Sequence, residues 1–456
     1  MADDPLSYRP ISILPAMSKI LETMVKNDLD RHLASVDGYA NTQFGFRAKR
    51  STAGAVATAH AAWSKAKQDG KLVGILAFDY SAGFDTVTKT SLLPVLEELG
   101  IVGMELAWFA DYLTDRRQQV DWQGSLSEFL DVLYGVPQGS ILGPLLYVIL
   151  MRHLSATLSA AGGKGGDVTF ADDSTVWCVE NNCDNGLRFL KDSLEAKADA
   201  FANFSFANGL KMNGSKSQLA IVGKRATGFS INVDGAEVVE SNVIEFLGIK
   251  VTNDLSMATY AKDLATKTKQ AAGMVRRLAV HFPKGSPYLR MLAQGLIGKI
   301  NFSAAAVSVA RTGVDVDKCA TVHEKATQVN INNIARTLSG KSLKDHVRIA
   351  DLLQLANLPS YNSVVTKSTA METWCAMTSS DGPGGSKNPL GLAMVRPSRL
   401  TRSNLNGEVP NQFKLDTSTL ANRGIAMWNS TPDLRAAATK SQAHKVACKL
   451  AKDAPI

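Results

Sequence analysis

The sequence predicts an α+β protein: an antiparallel sheet with helices on one face, followed by a basic and mostly helical region. Three observations carry that prediction. Apolar runs of strand length alternate with helical segments, and several of them pair off as hairpins. One run, "KLVGILAFDY", is apolar almost without a break, as a fully buried strand requires. The charge also divides along the chain. Residues 1–255 hold 23 Lys and Arg against 30 Asp and Glu, net −7, and residues 256–456 hold 27 against 12, net +15.

Each element has a local reason. The proline-punctuated opening "YRPISILP" leads into a helical pattern over 17–33. A polar stretch, "NTQFGFRAKRST", separates it from an Ala-rich helix, and the buried strand that follows ends on Asp79. Helical patterns come next over 89–99 and 104–114. "QQVDWQG" and "SEFLDVLYG" alternate with period two and predict a hairpin. A buried helix is expected over 144–159, and then "DVTFADDSTVWCVE" predicts strand, Asp-Asp, strand: a hairpin with carboxylates at its tip. A helix over 187–208 precedes "GLKMNGSKSQLAIVG", and a further hairpin contains "EFLGIKVT". The chain is mostly helical from there to Cys375, and "SSDGPGGSKNP" has the composition of a linker.

At 456 residues the chain has room for two to four domains. Its 45% hydrophobic and 20% charged residues fit a folded protein and exclude wholesale disorder. The start "MADDPLSYRP" lacks the basic-then-apolar order of a signal peptide. The best apolar run, "ILGPLLYVILM", is broken by Pro144 and meets Arg152 and His153, whereas a membrane span needs about 20 apolar residues. An intracellular protein with no membrane partner is expected. Cys178, Cys183, Cys319, Cys375 and Cys448 include no Cys-x-x-Cys pair, so buried free thiols in a reducing compartment are expected. The basic second half suits either a polyanion, such as nucleic acid, or a solubilising surface.

"FADDS" poses the sharpest question. Adjacent strand residues point to opposite faces, so one of Asp172 and Asp173 would face the core, where an unpaired charge is costly. Two explanations stay open on the residues alone: an ordinary Asp-Asp-Ser turn, or a divalent metal that makes close carboxylates favourable. If the strand ending on Asp79 neighbours the hairpin, three hard carboxylates would suit two Mg²⁺ ions about 3.5–4 Å apart.

The order of the motifs resembles the reverse transcriptase of a non-LTR (LINE-type) retrotransposon over nearly the whole chain. "AFDYSAGFDTV" resembles that family's first catalytic motif, "GVPQGSILGPLLY" its second and "FADDS" its third. "GLKMNGSKSQL" resembles the lysine motif and "FLGIKVT" the primer-grip hairpin; "YRPISILPAMSKILETMV" and "QFGFRAKRST" resemble fingers segments. Singly each is weak, but seven in the family's order are not a coincidence.

The resemblance implies a right-hand polymerase fold: fingers over 1–70, palm over 71–240, a primer-grip hairpin over 241–254 and thumb over 255–317. A helical C-terminal domain over 318–380, a linker over 381–413 and a basic tail over 414–456 complete the expectation. It implies an RNA-directed DNA polymerase using two Mg²⁺ ions, with Mn²⁺ able to substitute, on an RNA template, a DNA primer, their hybrid and dNTPs. Asp79, Asp172 and Asp173 would be catalytic and bind metal, with the Tyr80 carbonyl. Phe84 would exclude a 2′-hydroxyl, and Gln138, Lys216 and Arg9 would hold the nucleotide. Arg47 and Arg50 would hold template backbone, and Phe246, Leu247 and Gly248 would grip the primer. Read alone, each of these residues also has a bland use: core packing for Phe84, turn chemistry for Gln138, a solvated surface for Lys216.

Lys262, Lys269 and Arg276 recur every seven residues, whereas Leu264, Ala271, Val275 and Leu278 fall on a different helical face. The first set suits phosphate and the second suits packing, although a solvated charged stripe would look the same.

Departures from the pattern also matter. The strand expected before Tyr8, which carries a triphosphate-gripping lysine, has no counterpart. Gly83 stands where the family usually has Ala, and "LMRHLSA" replaces its usual helix ending. No endonuclease is recognisable, so a nick would come from elsewhere. A nucleic-acid-binding remnant or domesticated protein without polymerase activity is the alternative, and a group II intron-type splicing cofactor fits less well. In a eukaryotic element, cytoplasm and nucleus are the expected compartments.

Overall fold

The computed structural model describes residues 11–80, 83–223, 228–283, 285–300, 304–307, 321–378, 388–390 and 420–454. They divide into two compact units. The first holds the described residues within 11–48 and 66–242, and the second those within 49–65, 243–378 and 388–454.

The first unit is built around β1 (Lys71–Phe78), a central strand of a four-stranded antiparallel sheet. β7 (Asp173–Asn181) pairs with it from Lys71↔Asn181 to Phe78↔Ser174, and β8 (Gln218–Val222) pairs with its other edge. β6 (Gly165–Phe170) completes the order β6-β7-β1-β8 through a hairpin with β7. Leu72, Val73, Ile75 and Leu76 are all buried, so side chains on both faces of β1 leave water. That explains its unbroken apolar run, because a strand covered on one side alone would alternate.

Helix α7 (Gly186–Ala207) covers the face carrying Gly74 and Phe78. Phe78 stacks on Phe201 with ring centroids 3.9 Å apart, and a Cβ at Gly74 would lie 2.6 Å from Leu194. Glycine in this strand is thus a concession to close helix packing. Helix α1 (Ala16–Ser35), α3 (Lys89–Glu98), α4 (Gly103–Tyr112) and α5 (Gly143–Leu150) contribute to the same core. The single helix expected over 144–159 is divided: a 3₁₀ turn, Met151–His153, separates α5 from α6 (Leu154–Ala160). The expected hairpin forms as a two-part ribbon, with β2 (Arg116–Gln118) on β5 (Leu130–Val132) and β3 (Asp121–Trp122) on β4 (Ser125–Leu126), and a further pair joins β9 (Ser230–Val233) to β10 (Ala236–Val239).

In the second unit, β11 (Val243–Phe246) and β12 (Ile249–Thr252) form a hairpin. Helix α8 (Ala258–Leu278) follows, burying Leu264, Ala271 and Val275. It shares a core with Pro287–Ile300, Val322–Ser339 and Ile349–Ala356. A second core joins Tyr361–Thr378 to helices Leu420–Ser430 and Lys440–Lys452. The basic C-terminal stretch is therefore packed as well as charged: Ala443, Ala447 and Ala451 are buried at helical spacing. The Ala-rich helix α2 (Thr52–Gln68) supplies Ala57 and Ala61 to that core.

The described cysteines are free, but their expected burial holds for Cys178 alone. Cys183 is exposed, and Cys375 and Cys448 are half-buried. Cys183 sits just beyond the end of β7, among the polar residues Asn182, Asp184 and Asn185. Cys319 and the linker stretch 379–387 lie outside the described residues. Among the described residues no helix is long and apolar enough to cross a membrane.

Candidate active site

The Asp-Asp puzzle resolves in the geometry of the β6–β7 hairpin. Phe170 pairs with Asp173, leaving Ala171 and Asp172 as the two-residue turn. Asp172 is half-buried and Asp173 exposed, so neither carboxylate is forced into the core. The β1–β7 register ends at Phe78↔Ser174, which leaves Asp79 just past the end of β1 and Asp173 next to Ser174 at the same end of the sheet. The hairpin tip is thus an ordinary two-residue turn that carries the Asp172 carboxylate.

A residue given no role by its sequence holds this turn. Gln43 is 1% exposed, and its Oε1 accepts from Ala171 N at 3.0 Å and from Gly45 N at 2.7 Å. Phe44 N donates to Thr169 O at 2.8 Å, and Thr169 N donates to Thr42 O at 2.9 Å, a short parallel pairing with β6. Ala171 adopts φ +58°, a left-handed conformation that needs such support in a non-glycine residue. A Cβ at Gly45 would lie 2.4 Å from Ala171 N, so only glycine lets the two segments meet. The one sequence signal was the "QFGF" string itself.

Lys216 closes a 3₁₀ turn, Gly214–Lys216, just before β8. Asn213 N donates to Asp79 O at 2.9 Å and fixes the turn to the end of β1. Lys216 Nζ then stands 3.9 Å from Asp79 Oδ2, with both side chains well exposed. Solvent screens such a pair, so it adds little to stability. Tyr80 pairs through its backbone with Met212, and its hydroxyl lies 3.0 Å from Ser205 Oγ. Burial pushes that phenol well above its usual range.

Phe84 lies in the 3₁₀ turn Gly83–Asp85. Its ring stacks on Tyr147 at 4.6 Å and meets Phe46 edge-on at 6.4 Å. Val136 N donates to Phe84 O at 3.0 Å, tying the second motif to the first. Gln138 Nε2 reaches Asp85 Oδ1 at 2.9 Å, so in this arrangement its amide is held by the first motif's second aspartate. Gly139 has φ +109°, and a Cβ there would lie 2.9 Å from Ser12 O. Ser12 N donates to Gln138 O at 2.7 Å. The buried Glu22 of α1 accepts from Ile141 N at 2.6 Å and Leu142 N at 3.1 Å, capping α5 from outside.

The remaining expected residues separate. Arg9 lies outside the described residues. Arg47, expected on template backbone, is instead 8% exposed. It donates to Ala40 O at 2.6 Å and lies 4.6 Å over the Tyr39 ring. A guanidinium so enclosed builds its own loop, which corrects the expectation. Arg50 is half-buried. Lys262, Lys269 and Arg276 are all exposed along α8. Phe246 is buried 5.5 Å from Trp63, and Leu247 and Gly248, at φ +51° and +75°, form the β11–β12 turn.

Carboxylate oxygens are the donors that a hard divalent cation selects, and Asp79, Asp172 and Asp173 stand at one end of neighbouring strands. Among the described residues no group of three carboxylate, imidazole or thiol side chains is gathered closely enough to hold a metal ion, so the cluster expected of Asp79, Asp172 and Asp173 is not assembled in this arrangement.

The family model described as "Reverse transcriptase (RNA-dependent DNA polymerase)" matches residues 3–251. The chain is 27% identical over 267 residues to a Drosophila melanogaster protein described as "Probable RNA-directed DNA polymerase from transposon X-element", covering 58% of this chain and 29% of that one. It is 25% identical over 274 residues to the RNA-directed DNA polymerase from mobile element jockey of the same species, covering 58% and 29%. With the Pol polyprotein of type-1 retrotransposable element R1 from Bradysia coprophila, it shares 34% identity over 176 residues, covering 38% and 16%. The chain thus spans less than a third of the length of these curated relatives. Apo telomerase from Candida tropicalis aligns at TM-score 0.40 and 13% identity, covering 78% of this chain and 59% of that one. That likeness is too loose for any residue-level correspondence.

Proposed function

The chain belongs to the reverse transcriptase (RNA-dependent DNA polymerase) family, and on that premise we propose that it extends a DNA primer along an RNA template with dNTPs. The observation that carries this reading is the trio Asp79, Asp172 and Asp173 at one end of the β1–β7 pair, with Lys216 beside Asp79. The relatives' descriptions as polymerases of a transposon and mobile elements support an origin in a non-LTR retrotransposon.

Asp79, Asp172 and Asp173 would hold two Mg²⁺ ions, with the Tyr80 carbonyl as a further ligand. When bound, the ions supply activation of the primer 3′-hydroxyl and charge neutralisation on the triphosphate. The protein's own residues do the rest. Lys216 meets the charge that builds on the leaving pyrophosphate and delivers a proton to it. Phe84, backed by Tyr147, closes the space beside the sugar's 2′ position. Gln138, positioned by Asp85 and by Ser12 N, orients the nucleotide against the template. Lys262, Lys269 and Arg276 follow the phosphates of the RNA–DNA hybrid, and the turn Phe246–Gly248 steadies the primer end.

A template-directed extension assay tests the reading: labelled dTTP on poly(rA)–oligo(dT) with Mg²⁺. Product that lengthens with time supports it, and none at any Mg²⁺ or Mn²⁺ concentration from a folded protein removes it.

A further inference from the structure

Gly83 is buried, and its backbone lies directly against the phenol of Tyr147. A Cβ built there would stand 2.9 Å from Tyr147 Oη and 3.4 Å from Cε2 and Cζ. All three nearest atoms belong to that one side chain, so the phenol is what a larger residue would meet first. The backbone at Gly83 does not have a positive φ that would itself demand glycine.

Tyr147 is also anomalous. It is 0% exposed on α5, and its hydroxyl has no hydrogen-bond partner among the described residues. Burying an unpartnered hydroxyl is unfavourable, and phenylalanine would fill the ring's space without that cost. The oxygen therefore needs a reason other than packing energy. Phe84, next to Gly83, lies on the same Tyr147 ring.

We propose that Gly83 and Tyr147 are a matched pair in which the Tyr147 hydroxyl acts as a spacer, fixing how far the Phe84 ring stands from α5 and so how much room remains beside the sugar. This rests on Phe84 being the sugar gate. Removing the oxygen lets residues 83–85 settle toward α5 and draws Phe84 away from the nucleotide. Adding a Cβ at Gly83 pushes the same turn outward, into the nucleotide's space. Doing both substitutes one atom's bulk for the other. Tyr147 and Gly83 are positioning residues here, acting through Phe84.

The test is a double-mutant cycle with two readouts, Tm and the dNTP:rNTP ratio of kcat/KM on one primer–template. Tyr147→Phe, which keeps the stacked ring, should hold or raise Tm while lowering dNTP preference about tenfold, the low end of what one methylene's worth of room changes. Gly83→Ala should lower both Tm and kcat/KM for dNTP. Because the two single changes act in opposite senses, their plain sum already falls near wild type, and the criterion is coupling: with the oxygen gone, the Cβ at residue 83 should cost much less Tm and much less kcat/KM for dNTP than it costs beside the intact phenol. Additive effects, or a double variant worse than Gly83→Ala, would overturn the pairing. Phe84→Ala is measured alongside. If it relaxes the ratio while the cycle is additive, the gate stands and the matched pair falls. An unchanged ratio in Phe84→Ala removes the gate itself, and the spacer with it.

Discussion

Lys216 Nζ stands 3.9 Å from Asp79 Oδ2, and the backbone joins the same two segments through Asn213 N and Asp79 O. The lysine is thus registered to the sheet end by a main-chain bond, while its side chain stays 69% exposed and able to turn toward a ligand. Lys216→Met should lower the extension rate about 100-fold, a typical general-acid contribution. Template–primer affinity and Tm should hardly move, because an exposed pair is worth little to folding. Single-turnover extension beside a binding titration checks this, and a wild-type rate in the variant would return Lys216 to the solvated surface.

Gln43 makes a different demand. Gln43→Met keeps the length of the side chain but removes the acceptor shared by Ala171 N and Gly45 N. Leaving buried donors unpaired should cost about 1–3 kcal/mol in urea unfolding. Because the turn carries Asp172, the Mg²⁺ concentration for half-maximal extension should also rise. A stability loss with an unmoved Mg²⁺ midpoint would mean that Gln43 serves the fold alone.

Asp167 gives a pH dependence of defined sign. Burial raises its carboxyl above the usual range, with the Thr42 and Ser155 hydroxyls and the charge of Lys197 opposing part of the effect. Its Oδ1 accepts from Ser155 Oγ at 2.9 Å. A raised folded-state value means the folded protein holds this proton more tightly. The group's contribution is complete below its ordinary value of 3.8 and is lost as pH rises through the folded value. Asp167→Asn lacks that loss and can still accept from Ser155. The stability of the variant minus that of wild type should therefore grow as pH increases above about 4 and then level off. Chemical denaturation at several pH values measures it, and a difference that shrinks with pH would reverse the assignment.

The exposed stripe on α8 predicts a salt effect. Changing Lys262, Lys269 and Arg276 together to Ala should weaken binding to any hybrid sequence about equally. It should flatten the log K against log salt slope by about three contacts, at roughly 0.9 each on a B-form duplex and comparably on a hybrid. Fluorescence anisotropy across a salt series, with circular dichroism for folding, reads this directly. Parallel slopes would leave the stripe a solvated face.

How much of this was legible in the sequence depended on whether the signal was local. β1 could be read because burial on both sides leaves an unbroken apolar run, and "FADDS" because a hairpin tip is a local event. The pairing of Gln43 with Thr169 was invisible, since 126 residues separate them and a three-residue parallel contact has no period. Arg47 misled for a related reason: a guanidinium beside other basic residues looks solvated, and only the Tyr39 ring and Ala40 carbonyl reveal otherwise. Gly83 registered as a departure from a pattern, but its cause lies on α5, in the phenol of Tyr147. The C-terminal helices were hidden because alanine spacing is a weak apolar signal, and charge dominated the composition.

The central claim is that the carboxylates at the end of the β1–β7 pair hold the metal for primer extension. Asp172→Asn tests it most directly, since the turn tolerates Asn and the change removes one charge without touching a phosphate contact. On poly(rA)–oligo(dT) with labelled dTTP and Mg²⁺, the wild-type chain should lengthen the primer. The variant should bind the same primer–template with nearly unchanged affinity and extend it not at all. Extension by Asp172→Asn at the wild-type rate would contradict the account.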